Sequence, residues 1–188
     1  QTIAEVCDEL VVGNLHDQFP IDMIQGGAGT SVNMNANEVI ANRVLEKLGK
    51  EKGDYQFCSP NDNINLSQST NDAYPTALKM ALLQMNEDLV EKLKKTIAAF
   101  REKGKEFHDV IKMGRTQLQD AVPMTLGQEF EAFAATLEED ISKLNANANL
   151  FVEINMGATA IGTGLNAPMG YANLCAKNLA MISGYPIV

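Results

Sequence analysis

The sequence contains no tryptophan, only two histidines and only three cysteines. Cys7, Cys58 and Cys175 are odd in number and widely spaced, which fits no zinc motif and favours a reduced, intracellular chain. His16 and His108 stand apart from each other and make no metal-binding motif. The pattern argues against a metal centre, and we expect neither a metal nor a cofactor.

Positive charge is also scarce, with 15 Lys and Arg against 24 Asp and Glu and a formal net charge of -9. Such a chain should repel nucleic acid and anionic membrane surfaces. The sequence has no signal peptide and no apolar run long enough to span a membrane. We therefore expect a cytoplasmic protein whose partners include neither nucleic acid nor a membrane.

Apolar residues that recur every three or four positions predict a helical chain with almost no strand. The predicted helices cover residues 1–13, a segment from near Asn33 or Asn35 to Gly49, residues 71–107, a segment that starts near Thr125, and residues 171–183. The fold class is therefore all-α, a bundle of long helices with at most minor β-structure.

The longest predicted helix, residues 71–107, carries one continuous apolar stripe that we expect to be buried. The stripe consists of Leu78, Leu82, Met85, Leu89, Leu93, Ile97 and Phe100. Residues 110–124 interrupt the helical pattern as a compact link, so the helices on either side should pack antiparallel.

The segment from Cys58 to Thr76 is crowded with amide and hydroxyl side chains and leads directly into the longest helix. Ser, Thr, Asn and Asp cap helix N-termini, because their oxygen atoms accept the first unpaired backbone N–H groups. The run from Ser67 to Asp72 holds more of these residues than one cap needs. The surplus suits a carboxylate or a phosphate at the positive helix end, and the alternative is an ordinary solvated cap.

Two further polar segments are predicted beside helix starts, Thr30-Ser31 after a glycine-rich loop and Thr116-Gln117 in the link. No Lys follows the glycines, so the loop does not fit the phosphate-binding P-loop pattern. Asn35 and Glu38 fit the spacing of a capping box. Together the three polar segments could hold a small carboxylate-bearing ligand, but the residues alone reveal no nucleophile and base pair.

Four stretches follow one another in the order found in a known family. They are GGAGTSVNMNANEVIANR at 26–43, PNDNINLSQSTNDAYPT at 60–76, MGRTQLQDAVPMTLGQEF at 113–130 and GATAIGTGLN at 157–166. Through them the chain resembles the fumarase/aspartase superfamily over essentially its whole length, and its aspartase branch most closely. The resemblance implies a long-helix bundle and a lyase that deaminates L-aspartate reversibly to fumarate and ammonia through an enediolate.

The resemblance also implies which residues contact the substrate. Thr30, Ser69 and Thr70 match positions that hold the reacting carboxylate, and Asn71 matches the position that contacts the amino group. Hydrogen-bond donors at fixed positions are the expected catalytic device, since negative charge develops on that carboxylate.

Thr116 matches a position near the other carboxylate and the amine. Gln117 stands where fumarases have His, which favours the aspartase branch over fumarase-type hydration of fumarate to malate. Ser59 replaces the His of the HPND motif of fumarases, so a second anion site is not expected.

The family's base, a serine on a GSSxMPxKxN loop, is absent from the sequence, so no catalytic residue is assigned and the chain alone is expected to be inactive. Because the sequence begins at Gln1 and stops after a Gly-Tyr-Pro turn, we expect an internal fragment. Residues 1–66 would be the remnant of an N-terminal helical domain, and residues 67–188 the first part of the central bundle. The family is homotetrameric, with each active site shared by three chains. A non-catalytic helical oligomerisation or binding module is the remaining alternative.

Overall fold

The computed structural model describes residues 1–188 as a mainly helical chain with one small sheet. The helices are α1 (Thr2–Val11), α2 (Thr30–Lys47), α3 (Thr70–Glu106), α4 (Leu126–Ala148) and α5 (Tyr171–Ser183), and the strands β1 (Ile111–Thr116) and β2 (Gln119–Thr125) lie between α3 and α4. A single 3₁₀ turn occupies His16–Gln18, and a π-helical turn occupies Pro60–Ile64. The predicted all-α class with minor β-structure is confirmed.

Helix α2 begins earlier than the sequence pattern indicated. Its first residue is Thr30, and Gly29 before it adopts a left-handed conformation with φ of 88°. The predicted capping box at Asn35 is wrong, because Asn35 lies inside the helix and its Nδ2 donates to the carbonyl oxygen of Gln18 at 3.1 Å. The glycine supplies a backbone turn that Cβ-bearing residues adopt only with strain, and this turn replaces a side-chain cap.

The chain forms two compact units, of which the first comprises residues 1–79 and 153–188. Its core joins α1 and α2 to the segment before α3, and consists of Val6, Ala41, Val44, Leu45, Cys58 and Ile64. Ion pairs cover this core, with the Glu9 carboxylate 2.7 Å from Arg43 Nε and 2.9 Å from Lys47 Nζ. Burial of the apolar side chains is the main favourable term in such packing.

The second unit, residues 80–152, packs the end of α3 against the start of α4. Phe100 and Phe107 lie 5.8 and 5.7 Å from Phe130, measured between ring centroids in tilted arrangements that aromatic rings prefer. Gly127 allows the close approach, because a Cβ there would overlap the carbonyl oxygen of Gly104. These contacts pair the later end of α3 with the beginning of α4, the antiparallel arrangement that was predicted.

The predicted apolar stripe of α3 is only partly buried. Leu83, Val90 and Ile97, spaced seven residues apart, are the buried apolar positions of this helix. Most of the predicted stripe is exposed instead, by 49% at Leu78, 38% at Leu82, 67% at Met85 and 47% at Leu89. Helix α3 therefore carries two apolar faces. The periodicity alone did not show which of the two is buried within this chain.

The link between α3 and α4 is a β-hairpin, whereas the pattern predicted near-zero strand content. Strands β1 and β2 pair antiparallel from Ile111 with Thr125 to Thr116 with Gln119. The pairing shifts between Gly114 and Arg115, where β2 carries an extra residue as a bulge. Mixed polar and apolar residues obscured the alternation that usually reveals a strand.

None of the helices combines the length and the apolar character needed to cross a membrane. The domain boundary between residues 66 and 67 remains a prediction. The two compact units do not test it, because the first unit combines residues from both ends of the chain.

Candidate functional site

The start of α3 is a closed cap built from Ser69 and Asp72. Ser69 Oγ accepts the backbone N–H of Asn71 at 3.2 Å, and the Ser69 N–H donates to Asp72 Oδ1 at 2.8 Å. The N–H groups of Asp72 and Ala73 both donate to the Ser69 carbonyl oxygen. This arrangement resembles a capping box, with Asp in place of Glu or Gln and with the Ser69 hydroxyl bonded to the second rather than the third helical N–H group. Ser69 and Asp72 thus cap the helix, and the side chains of Thr70 and Asn71 take no part in this cap.

Asp72 also fastens a distant loop to the helix start. Its side chain is fully buried, and Oδ2 accepts the backbone N–H groups of Gly157 and Thr159 at 3.2 and 2.8 Å. A buried carboxylate is stable only when its oxygen atoms are hydrogen-bonded, and here three N–H groups satisfy them. The small-residue stretch 157–166 is thereby held against the first turn of α3.

Asn71 is oriented by the same loop. Its Nδ2 donates to the carbonyl oxygen of Ala160 at 2.7 Å, so the amide nitrogen faces the loop and Oδ1 is left as an unpaired acceptor. The Asn71 carbonyl oxygen accepts Asn155 Nδ2 at 2.9 Å. Pro75 explains this second bond, since proline has no N–H to donate to the carbonyl four residues earlier.

Thr70 lies beside an amide network that comes from α2. Asn33 Nδ2 is 3.1 Å from Thr70 Oγ1 and 3.2 Å from Asn65 Oδ1. Asn37, one turn further along α2 and 5% exposed, donates to the same Asn65 oxygen at 3.1 Å. The network joins the first turn of α2, which begins with the exposed Thr30, to the first turn of α3.

Two clefts flank the start of α3. One, of about 730 Å³, is lined by side chains that include Asn65, Ser69, Thr70 and Asn166. The other, of about 530 Å³, is lined by the loop 27–29 and by Asn71, Tyr74 and Leu78. Thr70 and Asn71 therefore border different clefts, with the helix end between them.

Gly29 brings the glycine-rich loop against α3. A Cβ at this position would overlap the ring of Tyr74, and the positive φ would strain any other residue. This is the position where the close approach of the loop requires glycine.

Thr116 and Gln117 belong to the second unit, at the tip of the hairpin. Gln117 and Leu118 form a two-residue turn with φ of 50° and 63°, and Leu118 is fully exposed. Two-residue hairpin turns with positive φ usually contain Asn and Gly, so this turn holds two residues in a costly conformation. Backbone strain of this kind is concentrated at functional sites.

The basic residues of the hairpin are paired within their own unit. Lys112 Nζ lies 2.7 Å from Glu129 Oε1, and Arg115 Nε lies 2.9 Å from Asp120 Oδ1. Both cations therefore already have carboxylate partners.

Tyr171 borders the buried carboxylate from the side of α5. Burial, a hydrogen bond with the Cys175 thiol and the negative charge of Asp72 raise the pKa of the Tyr171 hydroxyl. Burial and a nearby negative charge both disfavour the phenolate, which is the physical cause of this direction.

Four residues of this arrangement were missed at the sequence level. Asp72 had a local signal, because Ser followed three residues later by an acidic residue marks a helix start. Asn33 and Asn37 are spaced four apart and so share one face of α2. Asn155 had no local sequence signal, because its bond to the Asn71 carbonyl oxygen depends on where its own segment packs in the fold.

The comparisons with known proteins agree with the fold and with the order of the motifs. A family model described as Lyase matches residues 1–188. The aspartate ammonia-lyase of Pseudomonas canavaninivorans is 58% identical over 187 residues, which cover 99% of this chain and 40% of that protein. The chain thus spans about 40% of the length of the curated relatives it matches.

Two solved structures superpose on the chain. The fumarate lyase:delta crystallin from Brucella melitensis, bound to cobalt, has a TM-score of 0.88 and 58% identity, and covers 100% of this chain and 41% of that one. The class II fumarase from Schistosoma mansoni has a TM-score of 0.82 and 34% identity, and covers 97% and 38%. The fumarase/aspartase type of fold, predicted from the motifs, is confirmed.

Proposed function

The chain belongs to the lyase family, and from that premise we propose that it is part of a carbon–nitrogen lyase that converts L-aspartate reversibly to fumarate and ammonia. The proposal is supported by the relative named aspartate ammonia-lyase, 58% identical over nearly the whole chain. The proposal concerns the intact protein, because the chain spans only about 40% of the length of that relative.

The observation that carries the proposal is the orientation of Asn71 beside Thr70. Because the Asn71 nitrogen is occupied by the Ala160 carbonyl, its oxygen is the end that remains for a ligand. An amide oxygen accepts hydrogen bonds and so suits the ammonium group of an amino acid. The neighbouring Thr70 hydroxyl and the positive end of α3 suit a carboxylate. Because the two residues border different clefts, the proposal places the ammonium group on the Asn71 side of the helix end and the carboxylate on the Thr70 side.

The reaction needs stabilisation of negative charge. Removal of a proton from the carbon beside one carboxylate places a second negative charge on that group, and the carbon–nitrogen bond then breaks. Thr30, Ser69 and Thr70 are proposed to donate to this carboxylate, Asn71 to hold the leaving amine, and Thr116 and Gln117 to contact the substrate from the hairpin. Preorganised donors of this kind give the largest single contribution to many enzymatic rates. The base is proposed to lie on a GSSxMPxKxN loop outside these residues.

The decisive experiment uses the full-length protein and follows fumarate formation from L-aspartate by absorbance. Thr70→Val should lower kcat about 100-fold, because loss of one donor to a developing oxyanion costs on the order of 3 kcal/mol. Thr96→Val is the matched control on the same helix, since the Thr96 hydroxyl donates only to the Lys92 carbonyl oxygen. Near-normal turnover of a folded Thr70→Val enzyme would mean that the polar run from Ser67 to Asp72 acts only as a helix cap.

Fumarase-type hydration is the second candidate, supported by the likeness to the class II fumarase from Schistosoma mansoni. Gln117, which replaces the fumarase His, favours the ammonia-lyase. If the full-length protein hydrates fumarate to malate and releases no fumarate from L-aspartate, this second candidate replaces the first. If it does neither, a non-catalytic module becomes the better description.

A homotetramer in the cytoplasm, with active sites shared between three chains, is proposed on the resemblance and on the surface of α3. Leu78, Leu82, Met85 and Leu89 expose an apolar stripe along several turns of that helix. Contiguous apolar surface of this kind usually marks an interface. Analytical ultracentrifugation of the full-length protein tests the assembly, and a monomeric active enzyme would contradict it.

A further inference from the structure

We propose that Asn33 is a positioning residue that turns the hydroxyl proton of Thr70 toward the cleft, and so makes Thr70 a donor to the substrate carboxylate. The inference rests on the proposed function, because it specifies how one of the proposed carboxylate contacts is prepared. It depends on the direction of each hydrogen bond in the amide network between α2 and α3.

One end of the network is fixed by a backbone carbonyl group. The backbone carbonyl oxygen of Gln68 can only accept, and Asn65 Nδ2 lies 3.5 Å from it. The nitrogen of the Asn65 amide therefore faces Gln68, and its oxygen faces α2. This assignment also satisfies Asn37, which is almost fully buried and donates to that oxygen at 3.1 Å.

The orientation of the Asn65 amide determines that of Asn33. Because the Asn65 oxygen faces α2, the atom of Asn33 that lies 3.2 Å away must be the donor nitrogen, Nδ2. The same nitrogen is the atom 3.1 Å from Thr70 Oγ1. An amide nitrogen cannot accept a hydrogen bond, so the Thr70 oxygen is the acceptor in this contact.

The orientation of Asn33 in turn determines the direction of the Thr70 hydroxyl. Its oxygen is occupied as an acceptor by Asn33, and the hydroxyl donates to no other group of the chain. The O–H bond is therefore directed away from Asn33, and Thr70 lines the cleft of about 730 Å³. A hydroxyl that already points at the ligand needs no reorganisation when charge develops, which is the condition for effective electrostatic catalysis.

Asn33→Asp tests the direction of this bond with almost no change in size. A carboxylate has no N–H to give, so the Thr70 hydroxyl would donate to it and turn away from the cleft. We expect kcat on L-aspartate to fall about tenfold or more in the full-length protein. Asn33→Leu, which is neutral and similar in size, removes the donor without reversing the bond and should give a smaller loss of kcat.

A double-mutant cycle separates orientation from the added charge. In the Thr70→Val background there is no hydroxyl to reverse, so Asn33→Asp should lower kcat by less than about twofold. A simple repulsion between the new carboxylate and the substrate would lower kcat equally in both backgrounds, and that result would overturn the proposal. Equal losses for Asn33→Leu and Asn33→Asp in the Thr70 protein would overturn it as well.

An assay of the unmodified full-length protein distinguishes a failure of this proposal from a failure of the proposed function. If it releases fumarate from L-aspartate and the cycle shows no coupling, Asn33 has no positioning role and the proposed function stands. If it has no such activity, the proposed function fails, and the role of Asn33 fails with it. Circular dichroism and thermal unfolding of each variant confirm that the compared proteins are folded.

Discussion

Replacing Asp72 with alanine should release the loop 157–159 from the start of α3. The carboxylate is the acceptor for two loop N–H groups, on Gly157 and Thr159, and for the Ser69 N–H on the helix side. Alanine leaves all three donors without this partner. The loop carbonyl that orients Asn71 should then also lose its fixed position, because Ala160 follows Thr159 directly.

The size of the effect follows from the number of bonds. A hydrogen bond to a charged group contributes about 1.5–3 kcal/mol, so the two loop bonds together hold the loop by about 3 kcal/mol at the low end. A factor of ten corresponds to about 1.4 kcal/mol, so the population of the open loop should rise on the order of 100-fold.

Hydrogen–deuterium exchange of the full-length protein measures this opening in peptides that cover residues 155–165. Asp72→Asn is the matched variant, because it retains one acceptor oxygen and the volume of the side chain. We expect its amide to keep the oxygen toward the loop, where it accepts two bonds, and to lose the single bond to Ser69. Exchange should therefore rise in the first turn of α3 for Asp72→Asn, and in both segments for Asp72→Ala.

Unchanged exchange of residues 157–159 in a folded Asp72→Ala protein would refute the reasoning. It would mean that packing holds the loop without the carboxylate. Equal effects of the two variants on the loop would refute the preferred orientation of the asparagine amide.

Two further predictions concern stability. Hydrogen bonds from Arg43 and a neighbouring lysine hold the pKa of Glu9 at about 2, below its ordinary value of 4.5. The Glu9 carboxylate therefore stabilises the fold above about pH 4.5, and this stabilisation is lost as the pH falls toward 2. The difference in Tm between wild type and Glu9→Gln should shrink over that window, and a constant difference would contradict the assignment. Gly127→Ala should lower the free energy of unfolding by about 1–3 kcal/mol, because its Cβ would overlap backbone atoms. Gly26→Ala, which meets no atom within 4 Å, is the control in urea denaturation, and equal effects of the two would contradict the packing argument.

The positions of the helices were largely readable from the sequence. The bounds predicted for α5 agree with the structure, and those for α3 differ by one residue at each end. Helices are defined by hydrogen bonds and side-chain spacing within four residues, so local patterns carry most of this information. The start of α2 was misplaced because a left-handed glycine, rather than a side-chain cap, precedes it.

The buried face of α3 was not readable in the same way. Leu82 and Leu83 are adjacent, equally apolar and on different faces of the helix, yet only Leu83 is buried. Periodicity identifies a face that can be buried, whereas the neighbouring elements decide which face is buried. The hairpin at 111–125 was missed for a related reason, since its pairing depends on register between two strands of mixed polarity.

The sequence by itself determined the family motifs and the helical class, because both depend on residue types at short, fixed spacings. Only the tertiary structure decided how the site is assembled. Asp72 binds N–H groups 85 and 87 residues away, and Asn33 reaches Thr70 across 37 residues. Such bonds form only where packing brings distant segments within about 3 Å, a condition that local patterns do not encode. The direction of the Thr70 hydroxyl, and with it the proposed chemistry, is a product of that packing.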